Sequence, residues 1–486
     1  MKLVLGFVPL CYLAAAAPAA AQSQPAGAQP EPTANTSSPA PGQQSPTANT
    51  ESPTPDQQAP TADTGSPAPD QQSSTETVAS TSDPGTQSSG TDILSKNVIT
   101  ILFDGRLALA NGERSWANRG LGKTSFQGTS DGGYNFYAVP QEADIIWNPR
   151  FTNSLSASVS AAYQRHQEHP ADLLEAFFSF MPAQKGSVGY SVRAGIMWPE
   201  ISLEHTTGGA WSTVNTLTPS AINTWVGEEV KVLGLEGTVR ASMGNHVLAL
   251  TGSIFGFDDT SGTLLSFRGW ALHNEKATVF GRFRLPPLNP FITLLQNNKT
   301  RSFIEIDHRP GFYGRLEWRP PAPFGAALFY YDNRGDPEKF KPSGQWGWRT
   351  RFWNLGINAD LSSKTRLLAQ AMTGSTLMGF KTNGKRWVHT EFRSAYVSIT
   401  QTLTDKAGVT GRIEAFRTHE MGSQMSPQES EHGWSTTVAL RYNLRDNLTG
   451  FAEAFNVRSR RGVRVNLGLD PFQPQTVFQL GLRFRI

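Results

Sequence analysis

The last nine residues, Phe478-Gln479-Leu480-Gly481-Leu482-Arg483-Phe484-Arg485-Ile486, alternate without a break. Phe478, Leu480, Leu482, Phe484 and Ile486 share one face, and Gln479, Gly481, Arg483 and Arg485 share the other. A two-residue period is that of a strand, whose side chains point alternately to opposite faces. The same pattern recurs upstream. Trp434, Thr436, Val438, Leu440, Tyr442 and Leu444 oppose Ser435, Thr437, Arg441, Asn443 and Arg445. Phe312, Gly314, Leu316 and Trp318 oppose Tyr313, Arg315, Glu317 and Arg319. Ile99, Ile101, Phe103, Gly105, Leu107 and Leu109 oppose Thr100, Asp104 and Arg106. Such strands separate an apolar medium from a polar one.

About sixteen such runs fit between residues 98 and 486, with the first near 98–110, the second near 143–150 and the last near 475–486. Their connections alternate in length. Those at Ser363-Lys364, Asp405-Lys406 and Asp446-Asn447 are tight, whereas 111–142, 199–229, 258–309, 334–347, 421–431 and 461–474 are long. Short turns at one end and long loops at the other are the signature of an outer-membrane barrel. The fold class expected is all-β, a transmembrane antiparallel β-barrel of about sixteen strands with a disordered N-terminal segment. Aromatics near strand ends, Trp147, Phe151, Trp198, Trp318, Phe324, Trp348 and Trp434, suit the two interfacial belts. The terminal strand is similar to the recognition strand of outer-membrane proteins, although Ile486 follows the expected aromatic, Phe484.

The N-terminal ninety residues read differently. Met1 and Lys2 precede an apolar run, Leu3 to Ala17, and Ala19-Ala20-Ala21 places a cleavage site before Gln22. Residues 1–21 are expected to be a secretory signal peptide, the run being too short for a membrane helix. Its Cys11 is the chain's one cysteine. A mature chain without thiols excludes disulfides and Cys-ligated metals. Residues 22–92 are rich in Pro, Ser, Thr and Gln, and Ser38-Pro39-Ala40-Pro41 returns at Ser52 and Ser66, an interval of 14 residues. No copy carries an apolar anchor, so the segment reads as a disordered linker that either contacts the cell wall or has no specific partner. The barrel is expected over 93–486.

Apolar residues make up 38% of the chain, 43 basic residues nearly balance 40 acidic ones, and mean hydropathy is −0.36. The charge balance gives no support to nucleic-acid binding. The modest hydropathy fits a barrel, because only alternate residues meet lipid. Arginines outnumber lysines by 30 to 13. The polar face collects Arg106, Arg193, Arg240, Arg315, Arg319, Arg412, Arg441, Arg445, Arg483 and Arg485, along with Glu236, Glu317 and Glu414. These are the candidate pore-lining residues. They would act either as a ladder favouring anions or as an Arg–Glu network bracing the wall. The connection 199–229, with Glu200, Glu204, Trp211, Trp225, Glu228 and Glu229, is the candidate constriction loop.

Arg193-Ala194-Gly195-Ile196-Met197-Trp198-Pro199, Leu203-Glu204, Thr218-Pro219-Ser220-Ala221-Ile222, Trp225 and Gly227-Glu228-Glu229 resemble the corresponding element and inward loop of the porin superfamily that includes phosphate-selective porins. The resemblance spans about forty residues. It implies a passive channel for small polar or anionic solutes, with no cofactor and no metal, in contact with outer-membrane lipid and lipopolysaccharide and assembled as a homotrimer. The lysine cluster of the phosphate-selective members has no counterpart, since no lysine or arginine lies between Pro199 and Val230. Phosphate selectivity is therefore not implied. The loop glutamates, facing arginines, would set up a transverse field instead.

Two other classes compete. An adhesin or structural tether would use the N-terminal arm. A barrel enzyme would need a catalytic constellation, and His205, His308 with Asp307, His419 with Glu420 and His432 with Glu431 stand in no such signature.

Overall fold

The structure, a computed structural model, describes residues 92–206 and 209–486. The expected signal peptide and nearly all of the expected linker lie outside the described residues.

Sixteen antiparallel strands close into one barrel, each paired with its neighbours in sequence and the last with the first. They are β1 (Ile99–Ala110), β2 (Asn135–Trp147), β3 (Leu155–Gln164), β4 (Ala171–Phe180), β5 (Val188–Met197), β6 (Val232–Met243), β7 (His246–Gly256) and β8 (Gly311–Arg319). There follow β9 (Phe324–Asp332), β10 (Arg349–Ser362), β11 (Thr365–Thr382), β12 (Lys385–Thr404), β13 (Ala407–Glu420), β14 (Glu431–Arg445), β15 (Leu448–Arg461) and β16 (Phe472–Arg485). Closure is completed by reciprocal backbone bonds, Ile101 N–H to Ile486 O at 2.9 Å and Ile486 N–H to Ile101 O at 3.0 Å. Closure leaves no sheet edge, which a strand wall in lipid requires.

The burial pattern is inverted relative to a water-soluble barrel. Outward Leu250, Ile254, Val438, Leu480 and Leu482 are all more than half exposed, while inward Asp104, Arg106, Glu236, Arg412 and Glu414 are buried. Leaving so much apolar surface in water would cost about 25 cal/mol per Å². The arrangement is stable only with hydrocarbon outside, and the chain is therefore a membrane-spanning barrel.

Two local features account for the difference from the expected second strand. β2 begins at Asn135, eight residues before the sequence expectation. A bulge on β2 leaves Gln141 unpaired between the Asp104–Glu142 and Gly105–Pro140 pairs. The extra residue shifts the outward set from Phe136, Ala138 and Pro140 to Ala143, Ile145 and Trp147, so the period-two pattern breaks mid-strand. Trp198 and Trp348, expected in the interfacial belts, are buried within the barrel. Each lies just outside a strand, in a segment that turns inward. Trp318, Phe324 and Trp434 do face outward.

Candidate functional site

Two long connections, 198–231 and 257–310, fold back into the lumen. The first ends in helix α1 (Ala221–Glu229), whose N-cap Ser220 accepts a hydrogen bond from the Asn223 N–H. All nine residues of α1 are buried, Glu228 and Glu229 included. The second carries α2 (Thr263–Phe267) and α3 (Pro290–Thr293).

The first loop is held by polar residues projecting from the far wall. Arg412 on β13 donates to Glu204 Oε1 at 2.7 Å, to Thr218 O at 3.0 Å and to Pro219 O at 3.1 Å. Glu414, one step along the same face, accepts the Ala221 N–H at 2.7 Å and the Ser435 hydroxyl at 2.7 Å. Glu453 on β15 accepts the N–H groups of Leu217 and Thr218 at 2.7 and 3.2 Å. Gln370 on β11 donates to Ile201 O at 3.0 Å and accepts from Asn223 and the Tyr396 hydroxyl at 2.8 and 2.7 Å. Loop backbone groups that would otherwise be buried without partners are thus satisfied by the wall. Trp225 packs edge-on against Phe352 and Trp270, at ring distances of 5.3 and 6.1 Å.

The second loop covers the other side of α1. Arg268 makes a two-pronged bond to Glu228 at 2.7 and 2.6 Å, and His273 Nε2 lies 2.9 Å from the same carboxylate. Burial alone would push the Glu228 carboxyl up, but the Arg268 guanidinium, with the His273 contact beside it, holds it down at about 2. Glu229 has no such cation. It accepts the Trp225 indole N–H at 2.8 Å and the Gly262 and Leu264 N–H groups at 3.1 and 2.9 Å. Burial pushes its carboxyl up to about 7. Lys231, bonded to Ala277 O, is drawn down to about 7 by burial, against the pull of Glu175.

The pore-lining candidates divide by height. Arg106, Arg193 and Arg412 are buried, as are Glu236, Glu317 and Glu414. Arg106 bonds Asp104 at 3.0 Å, and Arg193 bonds Glu236 at 2.8 Å with Glu200 3.3 Å away. The other seven, Arg240, Arg315, Arg319, Arg441, Arg445, Arg483 and Arg485, all lie toward the short-turn end of the barrel and are partly or fully exposed. Glu317 bridges Arg315 and Arg319 at 2.6 and 2.5 Å, and Asp104 pairs with Arg483 at 2.9 Å. Among the loop candidates, only Glu200 is exposed; Glu204, Trp211, Trp225, Glu228 and Glu229 are packed inside. A carboxylate moved into a packed interior persists only with hydrogen bonds or a cation, and each buried loop glutamate has found one or the other.

Beneath the first loop, facing the short-turn end, is a cavity of about 300 Å³ lined by Val214 and Asn215 of the loop, Lys364, Asp360, Arg366 and Arg441. Arg366 pairs with Asp360 at 2.7 Å. Among the described residues Lys364 and Arg441 form no ion pair, so the cavity carries excess positive charge.

The sequence reading did not single out Gln370, Tyr396, Glu453 or Gln479 as loop anchors, nor Arg268 and His273 as partners of α1. The signal available was a lone polar side chain on the inward face, such as Glu453 between Ala452 and Ala454. Asp259, Glu305 and Asp307 bring carboxylate oxygens within 4.8 Å of one another. These oxygens already accept backbone N–H groups of Ile306, Phe257 and Arg309 at 2.5, 3.0 and 2.8 Å, which braces the second loop. His205 Nδ1 meets Ser202 Oγ at 2.8 Å, and its ring stacks on Trp211. Burial lowers its proton affinity, and the charges acting on it, Lys276, Arg483 and Arg412, are cations. A hydrolytic triad needs a carboxylate in that place.

No family model and no curated protein matches this chain. Solved structures do match. The outer membrane channel DcaP of Acinetobacter baumannii has a TM-score of 0.49 and 10% identity, covering 81% of this chain and 99% of that one. The anion-selective porin from Comamonas acidovorans has a TM-score of 0.45 and 8% identity, covering 82% and 100%. OmpT, an outer membrane protein of Vibrio cholerae, has a TM-score of 0.45 and 7% identity, covering 81% and 99%. One of these neighbours is a channel, one a porin and one an outer membrane protein, and the likeness is one of fold.

Proposed function

We propose that the chain is an outer-membrane diffusion channel of the porin type, passing small hydrophilic solutes and favouring anions. The observation that carries this reading is the positively charged cavity beneath the inward loop. A barrel that served only as an anchor or adhesin has no use for Arg240, Arg441, Arg445 and Arg485, which form no ion pair among the described residues, at one end of its bore. A fixed cationic lining lowers the barrier for anions and raises it for cations. The first lumen loop narrows the bore by crossing from β5 to the β11–β16 wall, and the second, whose Ser266 and Trp270 reach β12–β14, closes over it. Export through the periplasm, with cleavage before Gln22, and assembly as a homotrimer belong to the same proposal. In it the short turns face the periplasm and the long loops face outward. It has the barrel acting as a passive channel and not as an enzyme.

The test is single-channel recording of the folded full-length chain in a planar bilayer under a salt gradient. Steady conductance with a reversal potential on the anion side is expected. A correctly folded barrel that never conducts would overturn the channel reading and favour the tether.

A further inference from the structure

The outer wall is not uniform. The outward positions of β1–β9 carry no arginine or lysine, and are filled by residues such as Phe103, Ile145, Tyr190, Leu235, Leu250 and Leu316. On β10–β15 the wall changes character just above the apolar band, toward the long-loop end. One cross-strand row runs Trp353, Thr373, Arg393, Arg417, His432, Arg460, each the direct partner of the next. Arg351 and Arg458 flank this row on adjacent outward positions. Five arginines thus stand on one arc, all exposed, with Glu391 among them and Asp332 opposite Arg351 at its β9 end, where it pairs with Arg349. Among the described residues Arg393, Arg417 and Arg460 have no ion-pair partner.

The row opens at one end into a groove of about 370 Å³ in the outer wall. Its floor is the short side chains Thr373 and Ser375 of β11; Arg351 and Trp353 flank it on one side, Glu391 and Arg393 on the other. Directly below, Ala371, Ala395 and Ala415 form a row of small outward residues ending at Trp434, whose ring lies 5.2 Å from the Arg458 guanidinium.

Unpaired guanidinium groups crowded on a membrane wall repel one another and face a poorly hydrated interface. The arrangement is favourable when anions fill the row. Phosphate suits it, because guanidinium binds phosphate oxygens in pairs. We propose that this arc, from the groove at Arg351 and Arg393 to Arg460, is a binding site for the phosphate groups of an anionic lipid in the leaflet at the long-loop end. The acyl chains lie on the alanine row below. The orientation, with that leaflet outermost, rests on the outer-membrane reading above, and the headgroup chemistry there is that of a phosphorylated glycolipid.

The test uses the folded full-length protein in non-ionic detergent and native mass spectrometry with bis-phosphorylated lipid A, its fully dephosphorylated form, and inorganic phosphate. The phosphorylated lipid is expected to stay bound, the dephosphorylated form to bind at least about tenfold more weakly, and inorganic phosphate not to displace the lipid. R393A/R417A/R460A should weaken binding of phosphorylated lipid A by about tenfold or more, while inward Arg240→Ala leaves it unchanged. R393E, confined to the groove, serves should the triple variant fail to fold. Equal binding of the two lipid forms, or full retention by both variants, overturns the proposal. So does a change in the number of chains per particle with no change in lipid, because the arc would then be a protein interface. Conductance of the triple variant separates this proposal from the channel reading: it should be unchanged, and a barrel that binds lipid without conducting loses the channel and keeps the lipid site.

Discussion

Glu204 of the first lumen loop and Arg412 of β13 are 208 residues apart in the chain and 2.7 Å apart at Oε1 and Nη1. Both are buried, and Arg412 also holds the backbone oxygens of Thr218 and Pro219. This one guanidinium therefore ties the loop to the opposite wall at three points, on the turn that leads into α1.

Replacing Arg412 by methionine leaves Glu204 and Glu414 buried without their cation, which costs about 3–5 kcal/mol. The expected result is a barrel that still closes, because the sixteen-strand ladder is intact, with a loop that leaves its seat. Single-channel records of R412M should show larger, noisier conductance. R412M/E204Q should recover part of the stability in urea, because one buried charge is removed with its partner.

Glu229 makes the seating of α1 depend on pH. Its carboxyl sits at about 7 in the folded protein against an ordinary value of 4.5, because burial opposes its ionisation. Between these two values the undocked group sheds its proton first. The docked loop is therefore stabilised most below pH 4.5 and loses that contribution as pH rises to 7, by about 3 kcal/mol in all. Glu228, held down at about 2, acts in the opposite sense and only below 4.5. Lys231, at about 7 against 10.5, carries a constant penalty below 7, and that penalty fades as pH rises from 7 to 10.5. Opening events should thus become more frequent from about pH 5 to pH 7, and Glu229→Gln should flatten the profile. An unchanged profile in that variant would place the sensor elsewhere.

The wall was legible in the sequence because each strand reports its own two faces. The turns at Ser363-Lys364, Asp405-Lys406 and Asp446-Asn447 lie where the alternation pauses, and the structure turns there. Where the wall departs from a strict period the signal is lost, as at Pro140 and the bulge at Gln141. The β11–β12 hairpin is longer than its apolar part, since Asn383 and Gly384, at φ 52° and 78°, make a two-residue turn that carries polar strands beyond the band. The inward course of 198–231 was expected. Its contacts were not legible, because Glu204–Arg412 and Glu228–Arg268 join positions whose spacing in sequence carries no periodic signal. Sequence could propose that arginines face the lumen; only the fold separates Arg412, consumed in an ion pair, from Arg441, which is free to act on a passing ion.

That separation gives a charge test. Lys364 and Arg441 line the cavity under the loop without ion-pair partners among the described residues, whereas Arg366 is neutralised by Asp360. Arg441→Glu and Lys364→Glu should each move the reversal potential toward cations, the double variant further, with the greatest effect at low salt, where screening is weak. Arg106→Gln should shift it little, because Asp104 neutralises Arg106 and both are buried.

The lipid face predicts a graded cost along β16. Leu480 is outward and 58% exposed in the centre of the apolar band, paired with Leu107 and Ala452. Phe472, on the same face, lies at the long-loop end beside Arg460. An arginine at the bilayer midplane costs about 2–4 kcal/mol and near the interface about 0–1 kcal/mol, because a long side chain near the edge extends its charge into the headgroups. Leu480→Arg should therefore lower folding stability in lipid vesicles by about 2–4 kcal/mol, and Phe472→Arg by about 1 kcal/mol or less. The readout is the urea midpoint of the folded, heat-modifiable band on a gel. Equal costs at the two positions would mean that the band is not where the outward leucines place it, and the membrane level assigned to the arginine arc would fall with it.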